Sequence, residues 1–315
     1  MNKSLQPQPD GSAAVQYEAA ATESETRQYL LDRSKRDAAP ILKAFVQNPD
    51  KKLASREGPL SVFVRHGDLR GLKAFLFLHA IISSGEGDNG WSTTLPLSVW
   101  ARAFDTTKAA EHRSASTAAT KLLTRLEDRK LIERDRVGRA RKITVTLLRP
   151  DGTGAVYTRP GKDNADRFLK LSNAFWTDGW HERLDLPATA MLLVALHEKP
   201  GFELVTERVP DWYGWSADTA ERGLKTLHDL GLIEVHKRLK KAPLAPTGAT
   251  LRNVYTLLGP FAHGGADAIT SLIGGSTMKS TSKTKIVKKT RTSRSNTTAA
   301  PAGRGRRKPG KKTER

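Results

Sequence analysis

Cations and hydroxyls are the side chains whose types and spacing point to chemistry in this chain of 315 residues. Arg and Lys attract phosphate groups, and Ser and Thr add hydrogen bonds to phosphates and base edges. Two segments concentrate these residues. The first contains Arg113, Ser114, Ser116, Thr117, Thr120, Lys121, Thr124, Arg136, Arg139, Arg141 and Lys142. The second contains Thr219, Arg222, Lys225, Lys237, Arg238, Lys240, Lys241 and Arg252. Such sets predict non-covalent binding of a polyanion.

The two segments are copies of one pattern. Residues 116–133 and 217–234 align at a constant offset of 101 positions, which pairs Ala119 with Ala220 and Glu133 with Glu234. Apolar residues spaced by three and four predict a helix in each copy, with the hydroxyls on its outward face. In the first copy Lys121 lies on that face as well. A short apolar strand, a basic turn and a second strand follow at once. A helix leading into a basic hairpin suits insertion into a DNA groove.

Each copy belongs to a longer module with the same predicted order of elements. The first module, residues 58–160, has a helix capped by Asp68, then helices at 97–104 and 114–130 and strands at 131–135 and 143–148. The second module, residues 166–262, has a strand from Phe168, a helix from Asp185–Pro187, a strand at 202–205, helices at 207–213 and from Ser216, and strands at 232–238 and 254–258.

This order of three helices, a strand, a wing and a second strand resembles the winged-helix superfamily, here in tandem. The stretches 126–133 and 227–234 resemble the junction of recognition helix and strand in MarR-like and GntR-like regulators. The second module is also similar to the winged-helix modules of plasmid replication initiators. The resemblance implies a mainly α protein with small β-hairpins, an α+β fold. It further implies that the third helix enters the major groove while the wing reaches the backbone or minor groove.

Charge is unevenly distributed along the chain. The net charge is +20, and residues 279–315 contain fourteen Lys or Arg and one acid. We expect a disordered N-terminus at 1–24, a helical arm broken around Pro40 at 25–57, a linker at 263–278 and a disordered basic tail at 279–315. The tail resembles those of nucleoid proteins, and its proposed DNA contacts are Lys288, Lys289, Arg291, Arg304, Arg306, Arg307 and Lys308. Residues 114–142 carry +5 and residues 216–242 only +2, so the first module is expected to bind DNA more strongly.

Other classes of protein lack support in the sequence. The chain has no cysteine, no phosphate-binding loop and no zinc-binding His-Glu-x-x-His helix, so we expect neither an enzyme nor a metal or cofactor. His79 and His197 are expected to be satisfied or peripheral core residues, and the tryptophans to pack the core and the junction between modules. No apolar run is long enough to span a membrane, which favours a cytoplasmic protein associated with the nucleoid.

Three roles fit a protein that binds double-stranded DNA. A bacterial transcriptional regulator is the expected role. A plasmid replication initiator that binds origin repeats and a DNA-organising protein of the nucleoid are the alternatives, and a homodimer is compatible with all three. No binding site for a small molecule is evident.

Overall fold

The computed structural model describes residues 19–84, 90–108, 112–138, 141–161 and 166–263. In these ranges the fold is mixed α+β, with helices and three small antiparallel sheets. The helices and strands, in chain order, are α1 (Glu23–Ser34), β1 (Ala38–Leu42), α2 (Leu60–Arg65), α3 (Leu69–Ile81), β2 (Ser92–Pro96), α4 (Leu97–Ala103), α5 (His112–Asp128), β3 (Ile132–Val137), β4 (Lys142–Leu147), β5 (Phe168–Ser172), α6 (Ala174–Thr177), α7 (Trp180–Arg183), α8 (Leu186–His197), β6 (Phe202–Glu203), α9 (Val209–Tyr213), α10 (Ala217–Asp229), β7 (Ile233–Lys241) and β8 (Ala249–Leu257).

The predicted helical arm at 25–57 is helical at its start and in one short 3-10 helix at Lys43–Phe45. Helix α1 begins at Glu23, where Thr22 and Glu25 form a reciprocal capping box, and it ends at Ser34. The prediction of a broken helix is wrong around Pro40, because the chain there forms β1 and pairs antiparallel with β5. A proline is tolerated there because each strand of a two-stranded sheet has one free edge. The sheet ties the N-terminal segment to the start of the second module.

The first module follows the predicted order, with two additions. The predicted second and third helices and both strands are confirmed as α4, α5, β3 and β4, and Asp68 caps α3 by accepting from the Gly71 N–H at 2.9 Å. Strand β2 and helix α2 were not predicted. The sheet order is β2-β4-β3. The buried hydroxyl of Thr106 lies 2.9 Å from the Ala101 carbonyl oxygen and 3.0 Å from that of Ala115, so it ties α4 to α5.

The second module repeats this arrangement with a longer hairpin. Its sheet order is β6-β8-β7, and β7 and β8 run for nine residues each. The predicted caps are confirmed: Asp185 accepts from the Ala188 N–H at 2.8 Å, and Ser216 from the Thr219 N–H at 3.2 Å. Helix α10 packs against α8, and Gly223 makes this close approach possible. A Cβ at Gly223 would lie only 2.4 Å from the Pro187 carbonyl oxygen.

The two modules share one continuous hydrophobic core. Phe77 of the first module and Trp176 of the second pack edge to face, with ring centroids 5.1 Å apart, which confirms tryptophan packing at the junction. The Arg56 N–H, which lies just before the first module, donates to the Asp211 carbonyl of the second module at 2.7 Å. Within the described ranges, none of the helices combines the length and apolar character needed to cross a bilayer.

Candidate nucleic-acid interface

A groove of about 590 Å³ lies between helix α5 and the hairpin formed by β3 and β4, and we call it the α5 groove. Six of its lining residues belong to the set that the sequence singled out, namely Ser116, Thr117, Thr120, Arg136, Arg141 and Lys142. Leu97, Gly138 and Ile143 complete the lining. The fold therefore brings together one wall of hydroxyls from a helix and one wall of cations from a hairpin.

Helix α5 presents its hydroxyl wall because the opposite face is buried. Ala119, Leu123 and Leu126 lie in the core, while Ser114, Thr117 and Lys121 are exposed. The hydroxyl of Thr120 donates to the Ser116 carbonyl at 2.9 Å, and that of Thr124 to the Thr120 carbonyl at 3.0 Å. Both hydroxyls therefore use their protons within the helix, and the hydroxyl of Thr120, which lines the groove, offers its lone pairs there. A hydroxyl whose proton is used in this way can only accept a hydrogen bond from a ligand.

The hairpin wall is held at a fixed position beside the helix. Val137 pairs with Lys142 at the hairpin end, and Gly138 has a φ of 63°. Arg141 also takes a left-handed conformation, with a φ of 49°, which costs a residue with a Cβ about 1–2 kcal/mol. Its carbonyl accepts from the Leu97 N–H at 3.0 Å, so the turn is anchored to the start of α4. This anchoring keeps the exposed cations next to α5.

Acidic residues pair with the cations near α5 that do not line the groove, and the charge of the groove itself stays positive. Asp68 pairs with Arg125 at 2.9 Å and with Arg129 at 2.8 Å, and Glu127 pairs with Arg134 at 2.6 Å. Burial alone would raise the pKa of Asp68, but hydrogen bonds from Arg125 and the Gly71 N–H outweigh this and hold that pKa below its usual value.

The groove cations have no such partners. Within the described part of the chain, the lining cations Arg136, Arg141 and Lys142 form no ion pair, and neither does Lys121 on the exposed face of α5, so their full charge faces outward. The acids of β3, Glu133 and Asp135, alternate with Arg134 and Arg136 and therefore point to the other face of the strand.

The matching surface of the second module is largely neutralised. Arg222 pairs with Asp218 at 3.1 Å and Lys225 with Asp229 at 2.5 Å, both along α10. Glu203 of β6 lies 3.0 Å from Lys240 and 3.8 Å from Arg238. The Thr219 hydroxyl is engaged with Ser216. Among the described residues, the predicted cations left without a carboxylate are Lys237, Lys241 and Arg252. Pairing thus widens the contrast in charge between the modules.

Several predicted residues lie outside the described part of the chain. They are Arg139, the side chain of Arg113, most of the linker at 263–278, and the whole tail with Lys288, Lys289, Arg291, Arg304, Arg306, Arg307 and Lys308. Their proposed contacts stay predictions.

One cluster of potential ligand atoms was missed by the sequence reasoning because its residues lie far apart in the chain. The buried His181 Nε2 lies 3.9 Å from an oxygen of Asp105 and 3.6 Å from one of Glu182. The carboxylates are already paired, Asp105 with Arg27 at 2.5 Å and Glu182 with Lys108 at 2.6 Å. These cations balance both acids, so the cluster is a charge-paired junction between modules.

Comparison of the chain with known protein families, with curated proteins and with solved structures found no match.

Proposed function

We propose that this chain is a tandem winged-helix protein that binds double-stranded DNA and regulates transcription in the bacterial cytoplasm, in association with the nucleoid. The order α3, β2, α4, α5, β3, β4 supports the first winged helix, and α8, β6, α9, α10, β7, β8 supports the second. In this arrangement α5 is the recognition helix and the β3–β4 hairpin is the first wing.

The α5 groove is the observation that carries the proposal. Helix α5 has 17 residues and a length of about 25 Å, and the DNA major groove admits a single α-helix. With α5 in the major groove, Thr117 and Lys121 face base edges, and the cations of the hairpin approach the flanking phosphates. Cations that already have carboxylate partners would lose those partners on binding, whereas those of the α5 groove would not.

The test is the salt dependence of DNA affinity for Arg136→Ala and Lys142→Ala in the full chain. Each phosphate contact releases condensed counterions, so each variant should bind more weakly and reduce the slope of log affinity against log salt by about 1. Lys51→Ala is the matched control, since Lys51 is exposed on a loop that does not line the α5 groove and forms no ion pair among the described residues. Unchanged slopes in both groove variants would remove the groove from the interface.

Sequence preference is tested separately from affinity. Thr117→Ala and Lys121→Ala should alter which sequences a random-duplex selection recovers, because their side chains face base edges in this arrangement. A preference that persists in both variants would place base recognition elsewhere.

The biological role needs a measurement across the genome. Chromatin immunoprecipitation with sequencing should give narrow peaks over promoters if the protein is a regulator. Repeated direct sites beside one AT-rich stretch would instead identify an initiator, and broad coverage would identify a nucleoid organiser. Either result would overturn the regulatory role while leaving DNA binding intact.

A further inference from the structure

The hairpin of β7 and β8 has three leucines whose side chains are exposed to solvent. Leu239 is 71% exposed and Leu251 is 56% exposed, and the two are directly opposite each other in the antiparallel register. Leu244, in the tip between the strands, is fully exposed. Leu239 lies on the same face of β7 as Ile233. Ile233 is buried in the core, whereas Leu239 lies further along the strand, where the hairpin extends into solvent.

The tip of this hairpin is mostly apolar and is closed by backbone hydrogen bonds. Residues 242–248 read Ala-Pro-Leu-Ala-Pro-Thr-Gly, so Leu244 lies between two prolines. The tip is closed by the Ala242 N–H, which donates to the Gly248 carbonyl at 2.8 Å, and by the Gly248 N–H, which donates to the Ala245 carbonyl at 2.8 Å. Prolines and these hydrogen bonds restrict the tip before any partner binds, so little conformational entropy is lost when Leu244 is buried.

Cations surround the leucines. From Val235 to Leu258 the sequence contains no acid, and it contains Lys237, Arg238, Lys240, Lys241 and Arg252. Arg238 lies directly opposite Arg252 in the register. Like charges opposite each other across two strands are unfavourable, and Glu203, 3.8 Å from Arg238 and 3.0 Å from Lys240, offsets only part of this repulsion in the free protein. A surface that combines exposed leucines with repelling cations fits a partner that is polyanionic outside and apolar inside.

We propose that the β7–β8 hairpin enters the DNA minor groove, where Leu244 wedges between stacked base pairs and bends the duplex. The inference rests on the proposed DNA binding and adds DNA bending to it. Phosphates on both sides of the minor groove neutralise the cations, and Leu239 and Leu251 contact the sugars. Leu244 lies between two neighbouring base pairs and replaces the stacking contact that they lose. Apolar wedges flanked by cations are a known means by which proteins kink DNA at the minor groove.

Charge argues against a second copy of the chain as the occupant. Two such hairpins would bring five cations each to one interface, with only Glu203 near them among the described residues. Leucines on the hairpin of another copy would have to overcome this repulsion. DNA supplies the opposite charge and an apolar interior together.

The experiment measures DNA bending and base unstacking by the full chain. A short duplex with a central flexible TA step carries a fluorophore at each end and 2-aminopurine beside the step. The wild-type protein should raise energy transfer between the ends and the 2-aminopurine emission. Leu244→Ser should bind roughly tenfold more weakly and produce neither signal at saturation. Leu53→Ser, which alters a leucine that is 45% exposed and lies outside the β7–β8 hairpin, is the matched control and should behave as the wild type does.

Each contrary result has its own meaning. Wild-type binding without bending, or bending that survives Leu244→Ser, overturns the wedge and leaves DNA binding in place. A wild-type chain that does not bind the duplex at low salt overturns the proposed function as well. If Leu244→Ser instead dissociates an oligomer of the free protein in sedimentation, the leucines serve a second copy and the wedge is wrong.

Discussion

His79 is a buried histidine whose two ring nitrogens lack hydrogen-bond partners among the described residues. Its ring packs in the core against Phe75 and Tyr157, with centroids 4.6 Å and 5.6 Å away. His79 is a core residue as expected, but it is neither satisfied nor peripheral, because its ring is fully buried and has no hydrogen-bond partner among the described residues. Burial, helped by the positive charge of Arg36, lowers the pKa of His79 to about 3. The folded protein therefore keeps this ring neutral at any pH near physiological.

This histidine should make the folded state sensitive to acid. The unfolded chain binds a proton near pH 6.5, while the folded chain binds it only near pH 3. Stability from this group is fully present above pH 6.5 and falls by roughly 1.4 kcal/mol per pH unit below it. We expect His79→Leu to flatten the pH dependence by that amount, as measured by urea unfolding at a series of pH values. His181 and His263 stay in both proteins and cancel in the difference. Parallel stability curves would contradict the assignment.

The position of the α5 groove residues could be predicted from the sequence, but the ion pairs of the predicted cations could not. The outward face of α5 and the cations of the turn follow from local spacing, so the sequence placed Ser116 and Lys142 on one surface. Ion pairing between distant segments does not follow from spacing. Glu203 and Arg238 are 35 positions apart, and their proximity depends on the β6–β8–β7 sheet. Sequence alone could therefore rank the two modules by charge but could not identify the neutralised cations.

Helices α5 and α10 end in the same way, although with different residues. The N–H of Lys130 donates to the Glu127 carbonyl at 2.8 Å, and that of Gly231, at the same place in the repeat, donates to the His228 carbonyl at 2.9 Å. Both residues are left-handed, with φ values of 56° and 69°. Glycine tolerates this conformation without steric cost, and lysine does not.

Replacing the lysine at this helix end should stabilise the protein. We expect Lys130→Gly to raise the free energy of unfolding by about 0.5–1 kcal/mol, because relief of strain exceeds the extra entropy of glycine in the unfolded chain. Gly231→Ala should lower it by roughly 1 kcal/mol. Lys130→Ala is the control, since it removes the charge and keeps the Cβ. Equal gains from alanine and glycine in urea unfolding would show that charge, and not conformation, matters at this position.

Local signals account for most of the predicted elements. Caps at Asp68, Asp185 and Ser216 and apolar spacing within each helix are short-range features, and the helices they predicted are present. Strands β1 and β2 escaped prediction because their partners are remote, as Pro40 pairs with Lys170 and Ser92 with Thr146. Only the folded chain brings such strands to their partners, and short segments carry too little pattern to be identified without them.

At the scale of the whole molecule, the two modules pack against each other and are not independent domains. The described core is continuous through both modules, and α1 joins it through the buried Leu30 and Leu31. Gly214 marks one point of contact. It lies at the end of α9 with a φ of 84°, and a Cβ there would lie 2.8 Å from the Cβ of Ser61 in α2 of the first module. The spacing between two potential DNA-binding surfaces is therefore set by packing.

A substitution at this contact should weaken both modules together. Gly214→Ala adds backbone strain and a clash across the junction, so we expect it to cost about 2–4 kcal/mol in unfolding free energy. Gly179→Ala is the matched control, because Gly179 has a φ of 72° and nothing within 4 Å of an added Cβ, so it should cost only about 1–2 kcal/mol.

Amide hydrogen exchange shows which helices lose stability in Gly214→Ala. If the shared core couples the modules, Gly214→Ala lowers amide protection in α3 of the first module as well as in α8 of the second, since both open in one cooperative unit. Gly179→Ala should lower protection in both helices by the smaller amount that strain alone gives. Protection lost only in α8 would show that the second module unfolds by itself, and the fixed spacing between the two surfaces would then have to be abandoned.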